Sequence, residues 1–173
     1  MLRLRLKELA VLAAAALLLA GCAGTNTGDK ETKSAPTSIT MAWVAPPAGF
    51  DPVNDQGITT AIFYQPVYDT LVRAKPDGTL VPMLATKWTY TKANTVLTLK
   101  LRTDVKFADG TAFNAAAAKA NLERFKGSAA ADAGTLAGIT GITVVNKATL
   151  RITLAQADPA FLVYLSTDAG FQA

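Results

Sequence analysis

Apolar and polar positions alternate most cleanly in "VLTLKL", residues 96–101. There Leu97, Leu99 and Leu101 alternate with Val96, Thr98 and Lys100. A period of two predicts a half-buried antiparallel strand with the leucines inward. The preceding "LATKWTYTKAN" reads as its partner strand, joined to it by a turn at residues 92–94. Further on, "VKF" runs into "ADG" and a helix opens. Asn114 is its expected N-cap. Ala118, Leu122 and Phe125 fall at i, i+4 and i+7 and make one apolar face, while Lys119, Glu123 and Lys126 point elsewhere. Ala117 would stand at N3, where a capping box carries a carboxylate, so that half of the box is missing. Residues 127–138 are a small-residue connector. "GITVVNKATLRITLA", residues 141–155, reads as a hairpin turning at "NK".

The remaining segments are less regular. Residues 38–43, "SITMAW", form a short β-rich run, and residues 44–57, with paired prolines and Asp51-Pro52, an irregular loop. Residues 58–71 have a helical pattern that Pro66 would start or kink. "LVRA" is strand-like and "KPDG" a turn with proline at its second position. A last helix is expected after Asp158, with Pro159 in its first turn. The pattern is α+β, a mixed α/β chain of mainly antiparallel strands with flanking helices, without internal repeat or charge block.

The N-terminus belongs to none of this. "MLRLRLK" is basic, and 13 apolar residues follow, Leu9 to Gly21. That is short of the roughly 20 residues a membrane-spanning helix needs. A basic segment followed by a short apolar one reads as an export signal. It ends in "LAGC", Leu19 to Cys22, which resembles the lipobox of bacterial lipoproteins. The small residues would admit the signal peptidase, and the Cys22 thiol would carry the lipid. The competing readings are an ordinary secretory signal and a buried structural cysteine. Residues 23–37 are Gly-, Ser-, Thr-, Asn- and Lys-rich and read as a flexible tether. Residues 1–21 are therefore expected to be a signal peptide and residues 22–37 a lipid-anchored tether. The body would then sit at the extracytoplasmic face of the cell membrane.

Composition narrows the chemistry. The 173 residues contain no histidine and one cysteine. Nucleophile–histidine pairs and Cys/His zinc sites cannot be built, nor can an intrachain disulfide. No Ser-x-x-Lys occurs, which disfavours a hydrolase, and no cofactor is implied. The formal charge of +4 includes Arg3, Arg5 and Lys7 against Glu8; from Cys22 onward 14 basic and 12 acidic residues leave +2. That is no nucleic-acid footprint.

The order of landmarks from Tyr68 onward carries a resemblance. "YDTLV" is followed by "PDG", then by Pro82-x-Leu84-Ala85-x-x-Trp88 and a hairpin ending in "LKLRTDVKFADG". Thr111-x-Phe113-Asn114-Ala115, "NLERF" and "ATLRITLAQADPAFLVYL" come next. This series resembles the family 5 extracellular solute-binding proteins, the dipeptide, oligopeptide and nickel receptors of ABC importers. Ala108 departs from the family's usual histidine, and Ala116-Ala117-Ala118 from its acidic-acidic-valine triplet.

The resemblance implies the N-terminal part of a two-lobed periplasmic-binding-protein type II fold. Residues 38–173 would form an incomplete solute-binding domain, with a small extra domain at about residues 68–145. It implies no catalysis, but capture of a peptide or other small solute by a monomer that hands it to the transmembrane subunits of an ABC permease. Family members are considerably longer, so the chain reads as truncated. The alternative is a non-transporting truncated lipoprotein with a structural or interaction role.

In the family the loop after the first strand helps line the cleft, which carries over to Asp55, Gln56, Gly57 and Ile58 as ligand contacts. The bland alternative is a solvated loop. Trp43 and Trp88 are expected to pack in the core. Asp104 and Asp109 are expected to serve turns rather than acid–base chemistry, and Lys100, Arg102 and Lys106 to occupy a wet strand face and end. If Cys22 is the lipidated residue, Cys22→Ala will accumulate as unprocessed precursor without palmitate label. A processed, membrane-held mutant would overturn that assignment.

Overall fold

The computed structural model describes residues 38–40, 42–43, 47, 49–54 and 61–173. The chain divides into two compact units, Met1–Met41 and Ala42–Ala173. Only the second contains regular structure among the described residues. Its centre is a four-stranded antiparallel sheet in the order β3-β4-β6-β5. The strands are β3 (Ala85–Thr91), β4 (Val96–Leu101), β5 (Ile139–Asn146) and β6 (Thr149–Leu154).

Register places one side chain from each strand in a row. Trp88 faces Leu99, which faces Leu150, which faces Val144. Tyr90, Leu97, Ile152 and Ile142 make the next row. Leu97, Leu99, Leu150 and Ile152 are completely buried, so the alternation in "VLTLKL" is the core pattern it predicts. Lys87, Thr89, Lys100 and Arg151 stand on the opposite face and are exposed or half-buried. One dry face and one wet face are what a period of two builds in an antiparallel sheet.

Helix α2 (Ala115–Lys126) covers the dry face with Ala115, Ala118, Leu122 and Phe125. Asn114 caps it as expected. Its backbone is extended, and its Oδ1 accepts from Ala116 N at 2.9 Å and Ala117 N at 3.1 Å. One side chain thus satisfies two of the four donors that a helix start leaves open. Before the cap, residues 105–113 close on themselves. Phe107 N donates to Thr111 O, Gly110 N to Phe107 O, and Phe113 N to Val105 O. Gly110 has φ +87°, a conformation that side chains with a Cβ rarely adopt. Phe107 and Phe113 meet edge to face at 6.0 Å. The β3–β4 turn is tighter still: Lys92, Ala93 and Asn94 are all left-handed, with φ of 51°, 51° and 65°. Only Asn94 among them is a common left-handed residue.

A second, two-stranded sheet pairs β1 (Val72–Ala74) with β2 (Leu80–Pro82) across the "KPDG" turn. Gly78 takes φ +82° there, and Gly78 N donates to Lys75 O at 2.9 Å. The backbone just before β1 is paired on both sides. Leu71 N donates to Gly170 O and Gln172 N to Asp69 O, while Leu84 N donates to Thr70 O and Ala85 N to Leu71 O.

Three expectations need correction. Residues 38–40, 42 and 43 form no strand; no partner strand is available to them in any sheet of the described residues, and an unpaired strand leaves its backbone groups to water. Trp43 is 47% exposed, so it is not core, whereas Trp88 packs against the core as expected. The helix expected over 58–71 is, among the described residues, only α1 (Ala61–Tyr64). Pro66 lacks a donor and disfavours helical backbone at Gln65, so the chain turns instead. The last helix, α3 (Phe161–Tyr164), begins where Asp158 Oδ1 accepts from Ala160 N at 2.8 Å. It stops early because the hydroxyls of Ser166 and Thr167 donate to Val163 O and Tyr164 O and favour a turn.

Among the described glycines, Gly170 has the least room for a side chain. A Cβ there would lie 1.9 Å from Leu165 O and 2.4 Å from Leu165 C, both backbone atoms. Gly170→Ala must therefore displace backbone and disturb the Leu71–Gly170 hydrogen bond. A loss of at least about 2 kcal/mol is expected in denaturant unfolding. Asn114→Ala should cost about 1 kcal/mol through the lost cap, and an Asn114→Asp variant should recover most of it.

Candidate functional site

An open groove of about 840 Å³ lies beside α2. Four separate stretches and Leu84 build it: the turn after α1, residues 65–69; the closed loop, within residues 105–113; α2 at Ala117, Ala120, Asn121 and Arg124; and the segment at Gln172 and Ala173. The small residues of α2 shape it, because alanine at 117 and 120 leaves room beside the helix. Val67, Leu84, Val105, Phe107 and Phe113 give it apolar walls.

Its charged lining residues are Asp69, Lys106, Asp109 and Arg124, and hydrogen bonds within the protein hold Arg124 and Asp109. Arg124 Nη1 donates to Asp51 Oδ1 at 2.9 Å, and Nη2 donates to Asp51 Oδ2, a bidentate pair. The hydrogen bond from Arg124 holds the Asp51 carboxyl below its ordinary value and raises the guanidinium in turn. Asp109 Oδ1 accepts from both Thr111 N at 2.8 Å and Thr111 Oγ1 at 2.7 Å, which lowers that carboxyl as well. Asp104 is held down chiefly by its hydrogen bonds from Arg102, at 2.9 and 2.7 Å. Asp104 and Asp109 thus do the turn and strand-end work expected of them, and neither has the raised carboxyl of a general acid. Lys100 donates to Thr149 Oγ1 at 2.9 Å across the wet sheet face.

What the groove offers a ligand is carboxamide. Asn121 Nδ2 donates to Ala117 O at 3.2 Å, and its Oδ1 accepts from Ala173 N at 3.3 Å. Gln172 is 5% exposed. Its Nε2 donates to Gly170 O and Phe171 O at 3.1 Å each, which leaves its buried Oε1 without a hydrogen-bond partner. Gln65 stands exposed on the rim.

The proposed ligand contacts Asp55, Gln56, Gly57 and Ile58, and the proposed lipid site Cys22, lie outside the described residues. The turn that leads to the former is described: a 3-10 turn over Pro52–Asn54, with Asp51 Oδ1 accepting from Val53 N at 3.3 Å. Sequence reasoning assigned no role to Arg124 or Gln172. Arg124 lies beyond the buried Ala118–Leu122–Phe125 stripe, and only its pairing with Asp51, 73 positions away, sets it apart from a solvated arginine. Among the described residues no cluster of three or more His, Cys, Asp or Glu could hold a metal ion, and no helix is long and apolar enough to cross a membrane.

Comparison with known proteins places this geometry. A family model described as bacterial extracellular solute-binding proteins, family 5 Middle, matches residues 79–172. The nickel-binding periplasmic protein of Escherichia coli (strain K12) is 35% identical over 143 residues, 80% of this chain and 27% of that protein. Glutathione-binding protein GsiB of the same strain is 31% identical over 121 residues, 69% of this chain and 24% of that one. The crystal structure of NikZ from Campylobacter jejuni in complex with Ni(L-His) superposes with a TM-score of 0.66 at 29% identity. The superposition covers 73% of this chain and 25% of NikZ. The chain thus spans about a quarter of the length of the relatives it matches, and its α+β architecture is part of a periplasmic binding protein fold. The chain belongs to the bacterial extracellular solute-binding proteins of family 5.

Proposed function

We propose that this chain serves solute capture for an ABC importer, outside the cytoplasmic membrane and tethered to it by a lipid on Cys22. Residues 1–21 act as the signal peptide and residues 22–37 as the tether. The solute passes to the permease without chemical change. Family membership over residues 79–172 is the observation that carries this reading. The groove of about 840 Å³ agrees with it, since small-molecule sites are concave, mostly apolar and of roughly 300–1,000 Å³.

A peptide-like solute fits the lining best. Arg124 is already paired with Asp51, so an anionic ligand would find that guanidinium occupied. Carboxamides can accept and donate to peptide N–H and C=O groups, and apolar walls can cover side chains. Asp55, Gln56, Gly57 and Ile58 complete the contact set in this reading. In this reading the extra domain at about residues 68–145 supplies most of the groove wall.

Isothermal calorimetry on the purified chain should show binding of glutathione or a short unmodified peptide. The double variant Asp55→Ala/Gln56→Ala should weaken it roughly tenfold. Binding of nickel–histidine with no response to any peptide would redirect the solute class, and silence toward every solute would sink the capture reading for this chain.

A further inference from the structure

The segment before the proposed contact residues is fastened in a way that neither family membership nor the groove explains. Asp51 and Arg124 are joined by two parallel hydrogen bonds although 73 positions separate them. Tyr68 adds a third tie, its hydroxyl donating to Phe50 O at 2.7 Å. Both Arg124 and Tyr68 belong to the groove wall. Tyr68 is in turn set by packing against Phe171, ring centres 6.1 Å apart, beside the paired backbone of residues 69–71. Phe50 itself is 56% exposed, so within residues 50–54 apolar burial is left to Pro52. The polar ties add direction to that contact.

We infer that Asp51, Arg124 and Tyr68 are positioning residues: a clasp that fixes residues 50–54 against the groove rim. The geometry suits that task better than a stability task. The pair is half exposed, with side-chain exposures of 49% for Arg124 and 39% for Asp51, and such pairs contribute little to global stability. A planar guanidinium facing a carboxylate with both nitrogens nevertheless sets direction as well as distance. Asp51 also accepts from Val53 N, so the same carboxylate that grips Arg124 shapes the turn over Pro52–Asn54. Asp55 follows that turn directly in the chain. A consequence for solute affinity rests on the solute-binding reading of Asp55, Gln56, Gly57 and Ile58.

Hydrogen–deuterium exchange on the full chain tests the clasp without any ligand. In Asp51→Asn and in Arg124→Gln, the amides of Val53 and Asn54 should exchange roughly fivefold faster. The double variant should be no faster than either single one, because both remove the same tie. Tyr68→Phe should act separately and add to them. Amides of β4 and β6 serve as the internal control and should not change. Unchanged exchange at residues 53 and 54, or additive effects of the Asp51 and Arg124 changes, would overturn the clasp.

Calorimetry with glutathione and with nickel–histidine then tests its use. Whichever probe the wild type binds should bind about fivefold more weakly to Asp51→Asn and Arg124→Gln. Equal affinity despite faster exchange would refute the positioning role. A wild type that binds neither probe would refute the solute reading, while the exchange result would still decide the clasp.

Discussion

Pairing between β4 and β6 is the contact on which the other elements depend. It joins positions 49 to 55 apart, with Lys100 opposite Thr149, Leu99 opposite Leu150 and Leu97 opposite Ile152. Each of those four apolar side chains is fully removed from water, worth up to about 1.5–3 kcal/mol apiece against an extended chain. The chain between the two strands must then return to the sheet. The closed loop at residues 105–113, α2 and the turn at Ala133–Leu136 follow in succession, and β5 then joins the sheet beside β6. Because loop closure is costly before such contacts form, the local devices along the way matter: the Gly110 turn, the Phe107–Phe113 contact and the doubly occupied Asn114 cap. Each makes its own stretch nearly right before the strands meet.

The groove is a by-product of that arrangement and of one further constraint. With its inner face on the sheet, α2 presents Ala117, Ala120, Asn121 and Arg124 outward. The backbone of residues 69–71 is paired on both sides, to residues 84–85 and to residues 170–172, and this brings the turn after α1 alongside the helix. Gly170 permits that approach, since a side chain there would collide with the Leu165 backbone. A small-residue helix face and a close backbone contact, neither functional by itself, together leave a cavity with apolar walls and a carboxamide rim.

The strands were legible because period-two alternation is a short-range signal, and the hairpins at "KPDG", "KAN" and "NK" all occur where turn residues interrupt it. The cap at Asn114 was legible for the same reason, being set within three residues. Helix lengths were not. Pro66 ends α1 where the apolar pattern continues to Leu71, and the Ser166 and Thr167 hydroxyls end α3 where the pattern does not warn of it. Nor was it legible that residues 38–40, 42 and 43 form no strand, since β-propensity describes what a residue tolerates and not whether a partner strand exists. The groove was beyond reach altogether. Residues 65–69, 105–111, 117–124 and 172–173 share no local pattern, and the β4–β6 register together with the backbone pairing of residues 69–71 brings them together.

Charge compensation decides what such a groove can distinguish. An uncommitted arginine on its wall would attract any anion, and an uncommitted Asp109 any cation, largely regardless of shape. Here Asp51 compensates the guanidinium, whereas Thr111 hydrogen-bonds the Asp109 carboxylate and leaves its charge in place. Beside Arg124, ligands would then be ranked by hydrogen-bond match and by fit to the apolar walls, where an unmatched buried polar group costs about 1–3 kcal/mol. The Gln172 carboxamide has only its donor side engaged, with its Oε1 buried and unpaired. That imbalance favours a neighbour that donates an N–H over one that only accepts. The same logic explains why the two arms of the clasp differ in kind: the Asp51–Arg124 pair removes charge from the wall, whereas Tyr68 adds direction without charge.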